Sequence, residues 1–194
     1  MKLDQLENWQ RTKKCEEVST QDVGTEQIVM GWGNTRRDHG GVIFCDLRDY
    51  SGIVQIVFGQ QHEEKAFLKA DSVRTEYVLA VRGIVAKRDP ETINPKMKTG
   101  AIEIHVLELR LLNNCKMLPF QIGDEHQDIS EKNRLKYRIL DLRRASMQKN
   151  LMMRSKAAQV IRDFFYRNQF FEIETPVLTK STPEGARDFL VPSR

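Results

Sequence analysis

The chain has 194 residues, 40% apolar and 30% charged, with a formal net charge of +4. This length holds one domain of ordinary size and part of another, and the composition is neither that of a disordered chain nor that of a fibrous one. No apolar run approaches the roughly 18 residues that span a bilayer, and Met1-Lys2-Leu3-Asp4 opens with no apolar leader core, so no membrane-spanning helix and a cytoplasmic location are expected.

Residues 1–24 read as a polar N-terminal tail. From Gln27 the pattern acquires a period of two, with Ile28, Met30 and Trp32 on one side of the first strand. Val42 to Leu47 follows the Gly40-Gly41 turn, and Ile53 to Phe58 follows Ser51-Gly52; both are short, turn-bounded and rich in β-formers. Glu63 to about Val73 predicts a helix with Ala66, Phe67 and Ala70 on one face. Two longer strands, Tyr77 to Lys87 and Ala101 to Leu112, flank a loop holding Pro90, Asn94, Pro95 and Gly100. Three strands, a helix and two strands is the order of a five-stranded OB-fold β-barrel, whose face on the second and third strands binds nucleic acid; another small barrel or an α+β domain fits the same pattern.

A connector with Pro119 and Gly123 follows. Ser130 predicts the N-cap of a short helix, Glu131 to about Leu142. A longer helix, Ala145 to Asn168, repeats Met153, Ala157, Val160, Ile161 and Phe164 at helical spacing, and Asn168 suits its left-handed end. A strand through Phe171, Ile173 and Thr175 then meets Pro176. The expected division is a tail (1–24), a barrel (25–113), a hinge (114–144) and the start of a second domain (145–194). Cys15, Cys45 and Cys115 lack the close spacing of a zinc or redox motif and read as reduced thiols. The scattered histidines add no metal pattern, so no metal ligand is named.

Alternation sorts the barrel residues by side. Ile43, Cys45 and Leu47 form the more apolar side of the second strand, so Phe44 and Asp46 face outward. An outward aromatic there can stack on an unpaired base, or pack under a loop. Gln55 interrupts the third strand with an amide that offers both a donor and an acceptor, and Glu103 alternates with Ile102 and Ile104. A carboxylate beside phosphates is costly unless it accepts from a base amino group. Arg36, Arg37, Arg48, Lys87 and Arg88 surround this face as candidate phosphate contacts, or as a solvated rim.

Four pieces carry a family resemblance: Gly31 to Gly41 (GWGNTRRDHGG), Asp46-Leu47-Arg48-Asp49 with Gly52 to Gln55, Leu135 to Arg144 (LKYRILDLRR), and Thr182 to Asp188 (TPEGARD). In this order, from about Thr12 onward, they resemble the N-terminal part of the bacterial-type aspartyl-tRNA synthetases, class II enzymes. The resemblance implies an OB-fold anticodon-binding domain, a hinge, and the first helix and strand of a class II catalytic domain. It implies that Arg37, Phe44, Gln55, Arg88 and Glu103 contact the anticodon. His39 occupies a position that helps set tRNA selectivity: histidine accompanies family members charging both tRNA(Asp) and tRNA(Asn), and leucine strict ones. Glu91 occupies a second selectivity position, where relaxed members often carry glycine, so the two positions point in opposite directions.

The helix and strand ending at Pro176 match motif 1, which builds the family's homodimer interface. Glu184 matches a carboxylate that contacts the L-aspartate substrate from a mobile loop. The family ligates L-aspartate to tRNA through aspartyl-adenylate, using ATP and Mg2+. The arginine-bearing motifs 2 and 3 are absent from the sequence, so this chain alone is expected to bind neither cofactor and to be inactive. Two alternatives share these residues: a stand-alone RNA-binding OB module, and a related asparaginyl or lysyl synthetase.

Overall fold

The computed structural model of the protein describes residues 3–124, 128–178 and 191–192. The chain forms two units, Met1–Gly123 and Asp124–Arg194.

The first unit is a closed barrel of β1 (Glu26–Asp38), β2 (Val42–Arg48), β3 (Ile53–Gly59), β4 (Val78–Lys87) and β5 (Ile102–Asn113), in the order β1-β2-β3-β5-β4. Helix α1 (Glu64–Ala70) connects β3 to β4. All pairings are antiparallel except the short parallel contact of β3 with β5, registered at Ile56–Ile104 and Val57–His105. This is the OB topology. β1 serves two neighbours, pairing with β4 through its first half and with β2 through its second, with an irregularity between Gly33 and Thr35. A Cβ on Gly31 would sit 2.3 Å from the Arg48 carbonyl oxygen, so the backbone there tolerates no side chain.

The core follows the alternation. Val29, Ile43, Cys45, Leu47, Val54, Ile56, Phe58, Leu79, Val81, Val85, Ile102, Ile104 and Leu111 fill the barrel. Ala66 and Ala70 bury one side of α1, with Phe67 packed beside them. Burial pushes the Cys45 thiol up to about 12, helped by the Asp46 carboxylate, so this cysteine is a packed hydrophobe and not a reactive thiolate.

The N-terminal stretch is no loose tail. Cys15 and Val18 are buried in the barrel core, on and beside a 3-10 turn at Cys15–Glu17 that packs against β1 and β3. Asp4 pairs with β5 through its N–H to Leu111 O (2.8 Å), and its carboxylate accepts from Leu111 N–H (2.6 Å). Arg110 lies 4.1 Å over the Trp9 ring. Apolar residues spaced without period escape a reading based on periodicity, yet they cap the barrel.

In the second unit, α2 (Glu131–Lys136) and α3 (Arg138–Asp141) replace the single short helix expected to reach Leu142. Tyr137, at φ −112 and ψ 45, separates them. Ser130 stands at the N-cap, but its backbone carbonyl accepts from Asn133 and Arg134 (3.0 Å each) and its hydroxyl makes no cap bond. Asp141 is fully buried and joins the two short helices, accepting from Arg134 Nε (3.0 Å) and Arg138 Nη1 (2.6 Å).

Helix α4 (Ala145–Arg167) ends in a Schellman arrangement: Gln169 N–H donates to Tyr166 O and Phe170 N–H to Phe165 O. Gln169, at φ 67, takes the left-handed position expected of Asn168. The expected strand through Phe171, Ile173 and Thr175 does not form; among the described residues this unit offers no strand to pair with it. No helix among the described residues is long and apolar enough to cross a membrane.

Candidate nucleic-acid interface

The outer face of the barrel carries a concave pocket of about 440 Å³, lined by Arg37, His39, Phe44, Gln55, Lys87, Arg88, Asp89, Thr92, Asn94, Glu103 and His105. Each strand contributes by alternation. Arg37 lies opposite Phe44 across β1 and β2, and Asp46 lies opposite Gln55 across β2 and β3. Ala86 lies opposite Glu103 across β4 and β5. The 89–101 loop closes one side and is tied to the barrel by Thr99 Oγ1 donating to Ile53 O (2.7 Å) and Arg88 N–H donating to Ala101 O (3.0 Å).

Phe44 is half-buried and faces outward; the His39 ring meets it edge-on at 5.6 Å between centroids. Gln55, in contrast, is nearly buried, and both ends of its amide are engaged. Its Nε2 donates to Glu103 Oε2 (2.9 Å), and its Oε1 accepts from Arg37 Nη2 (3.3 Å). Arg37 also reaches Asp46 Oδ1 at 3.4 Å, and Glu103 Oε1 lies 2.9 Å from His105 Nε2. A continuous polar chain therefore crosses from β5 through β3 to β1 and β2.

Arg88 lies beneath this chain with 8% of its surface exposed. Its Nε donates to Ile102 O (3.0 Å) and is 4.0 Å from Glu103 Oε2, while its Nη2 is buried with no hydrogen-bond partner. Burial lowers the Arg88 pKa, and Arg37 adds to this; Glu103 and Asp46 oppose it. A buried guanidinium N–H without an acceptor is costly and marks a position where an acceptor belongs.

Of the sequence-based candidates, Arg37, His39, Phe44, Gln55, Lys87, Arg88 and Glu103 come together in one pocket. Glu91 does not line it; it is exposed on the Pro90–Thr92 turn. Arg36 and Arg48 are absent from the face where they were expected. Arg36 points to the other side of β1 and pairs with Asp38 and Asp71 (3.1 Å each). Arg48 is committed to Glu76 (2.7 Å) and Asn34 (2.6 Å). Asp89, Thr92, Asn94 and His105 were not anticipated; for His105 the available signal was its position two residues after Glu103 on the same face of β5.

In the second unit, Pro176 is exposed at the end of the unpaired stretch after α4, and Glu184 lies outside the described residues. A cavity there is lined by Ile161, Arg162, Phe165, Tyr166, Phe170, Phe171 and Glu172. Its arginine is spent on Glu172, at 2.7 and 3.1 Å. Among the described residues no group of three or more His, Cys, Asp or Glu is arranged to hold a metal ion.

Comparison with known proteins agrees with this architecture. Residues 28–112 match the family described as OB-fold nucleic acid binding domain, and residues 130–194 match tRNA synthetases class II (D, K and N). The aspartate–tRNA(Asp/Asn) ligase of a Thermoanaerobacter species is 56% identical over 191 residues, covering 98% of this chain and 32% of the relative. The aspartate–tRNA ligase of Halalkalibacterium halodurans is 54% identical over 184 residues, covering 95% of this chain and 31% of the relative. The chain thus spans about a third of the length of the curated relatives it matches.

Among solved structures, asparaginyl-tRNA synthetase from Pyrococcus horikoshii with asparaginyl-adenylate superposes with a TM-score of 0.78 at 25% identity, over 91% of this chain and 39% of that one. Aspartyl tRNA synthetase from Entamoeba histolytica shares the fold, with a TM-score of 0.79 at 20% identity, over 95% of this chain and 44% of that one. The barrel and the segment after it match in this order, and 98% of the chain aligns at 56% identity, so the chain belongs to the class II tRNA synthetases of the aspartate–tRNA ligase type, of which it spans about a third.

Proposed function

We propose that this chain supplies the anticodon-binding part of an enzyme that ligates L-aspartate to tRNA, and that the pocket on the barrel receives splayed anticodon bases. The observation that carries this reading is the buried, unpartnered Arg88 Nη2 in the same pocket as an outward aromatic and a mixed donor–acceptor chain. Phe44 offers a stacking surface, Arg88 a donor, and Glu103 and Gln55 edge contacts, the set that single-stranded base readout requires. Lys87 and Arg37 hold phosphates at the rim.

In the whole enzyme ATP and Mg2+ would supply the activation of L-aspartate. The described residues do not fit that chemistry: the one arginine lining the cavity beside α4 is paired to Glu172. Glu184 is assigned to the substrate ammonium by its loop sequence alone. A homodimer through α4 and Pro176 is supported by the exposed Met153, Val160, Ile161 and Phe164 on that helix. The expected location is the cytoplasm.

The division into a barrel unit carrying recognition and a following unit opening the catalytic domain belongs to the same proposal. So does charging of both tRNA(Asp) and tRNA(Asn). His39 lines the pocket against Phe44 and Glu91 does not, which favours the selectivity position held by His39. The two tRNAs differ at the third anticodon base.

Fluorescence anisotropy of the two anticodon stem-loops tests both parts. Wild-type chain is expected to bind both. His39→Leu is expected to lose affinity mainly for the tRNA(Asn) loop, by about tenfold, the scale of about 1–3 kcal/mol per base. Equal losses on both loops would contradict the selectivity role, and no binding by wild type would contradict the anticodon reading.

A further inference from the structure

Glu103 stands 4.0 Å from the Arg88 guanidinium, yet Arg88 Nη2 has no partner. A carboxylate and a buried arginine this close ordinarily close into a two-bond pair. Both Glu103 oxygens are instead held by neighbours: Oε2 accepts from Gln55 Nε2 and Oε1 from His105 Nε2, at 2.9 Å each, and the two bonds fix the carboxylate short of Arg88. The His105 ring is itself held. It stacks on His62 at 4.4 Å between centroids, 27° from parallel. Its backbone sits where β5 meets β3, opposite Val57.

The imidazole holds Oε1 through Nε2 while Gln55 holds Oε2, the oxygen 4.0 Å from Arg88, so the two together set where the carboxylate stands. The consequence passes on to Gln55. A fixed Glu103 requires the amide nitrogen of Gln55 to point toward it, leaving the amide oxygen toward Arg37. The reversed amide would set oxygen against carboxylate and nitrogen against guanidinium.

Resting on the anticodon reading above, we infer that His105 is a positioning residue for base recognition. It keeps Glu103 off Arg88, so that the buried Arg88 donor stays available to RNA and the Gln55 amide keeps one orientation. His105 need not touch the base itself. Without it, Glu103 swings onto Arg88, and the pocket satisfies itself instead of its ligand.

The test is a double-mutant cycle read as equilibrium binding of the tRNA(Asp) anticodon stem-loop to the full chain. His105→Leu removes the donor and is expected to weaken binding about tenfold, the scale of one hydrogen bond to a charged group. His105→Gln restores an N–H donor and is expected to bind within about twofold of wild type on the same scale. In a Glu103→Gln background, His105→Leu is expected to cost nothing further. Thermal melting of each variant separates unfolding from loss of recognition, and the Gln variant carries the comparison if the Leu variant melts early.

Equal losses for Leu and Gln, or an undiminished His105→Leu effect in the Glu103→Gln background, would overturn the positioning role. Absence of binding by wild type is a separate result and would sink the anticodon reading on which the inference stands.

Discussion

Phe44 shows how one residue links pattern to function. Its neighbours Ile43 and Cys45 are each 1% exposed, so the ring has no route into the core and lies outward beside His39. A half-buried ring outside the core, proposed to stack on a base, is expected to contribute more to binding than to folding. Phe44→Ala is therefore expected to weaken anticodon stem-loop binding by about 1–3 kcal/mol, the usual loss for one base stack. Calorimetric melting of the variant should match wild type; an early melt with unchanged affinity would place Phe44 in the core. The side of Phe44 was legible in the sequence because alternation along β2 is unbroken. The engagement of Gln55 was not, because its partners, Glu103 and Arg37, come from strands distant in sequence. His105 lies two residues after Glu103 on the same face of β5, but that spacing alone does not separate a histidine that holds a carboxylate from one facing water.

Among the elements, the strands and α1 announce themselves through period and turn residues, and the observed bounds lie within a few residues of those expected except for β1, which continues beyond Trp32 to Asp38. The failures have physical causes. The N-terminal segment is held by discrete contacts without period. One of them is Asp49, whose Oδ2 accepts from Cys15 N–H (3.0 Å) and whose Oδ1 accepts from Ser51 N–H (2.8 Å), Ser51 Oγ (2.6 Å) and Gly52 N–H (3.3 Å). Burial pushes the Asp49 pKa upward, but these hydrogen bonds outweigh it and hold the carboxyl below its ordinary value. The unfolded chain therefore takes up this proton first. Stability from Asp49 is complete above about pH 4 and is lost as pH falls through the lower folded value. Asp49→Asn is expected to cost about 1–2 kcal/mol at pH 7 and to flatten the acid limb of stability measured by urea unfolding between about pH 5 and pH 2. An acid limb as steep as wild type would contradict this assignment. The strand expected at Phe171 fails for a different reason: a strand is completed by its partner, and sequence pattern cannot supply one.

As a whole, the molecule joins a barrel unit to a second unit whose residues 130–194 match class II tRNA synthetases. Under the proposed function, RNA is expected to meet the barrel on the face of β1, β2, β3 and β5 and nowhere else on that unit. Elsewhere on the barrel are the ion pairs of Arg82 and Arg110 around Trp9, whose charges are already matched by Glu26, Glu108 and Glu7. The most direct measurement is a titration of the isotopically labelled chain with the tRNA(Asp) anticodon stem-loop, followed by amide and side-chain NMR shifts. The largest changes are expected at Arg37, Phe44, Gln55, Arg88 and Glu103 and in the 89–94 turn, with Trp9, Arg82 and Arg110 unmoved. Shifts concentrated around Trp9 and Arg110, with the pocket silent, would contradict this expectation.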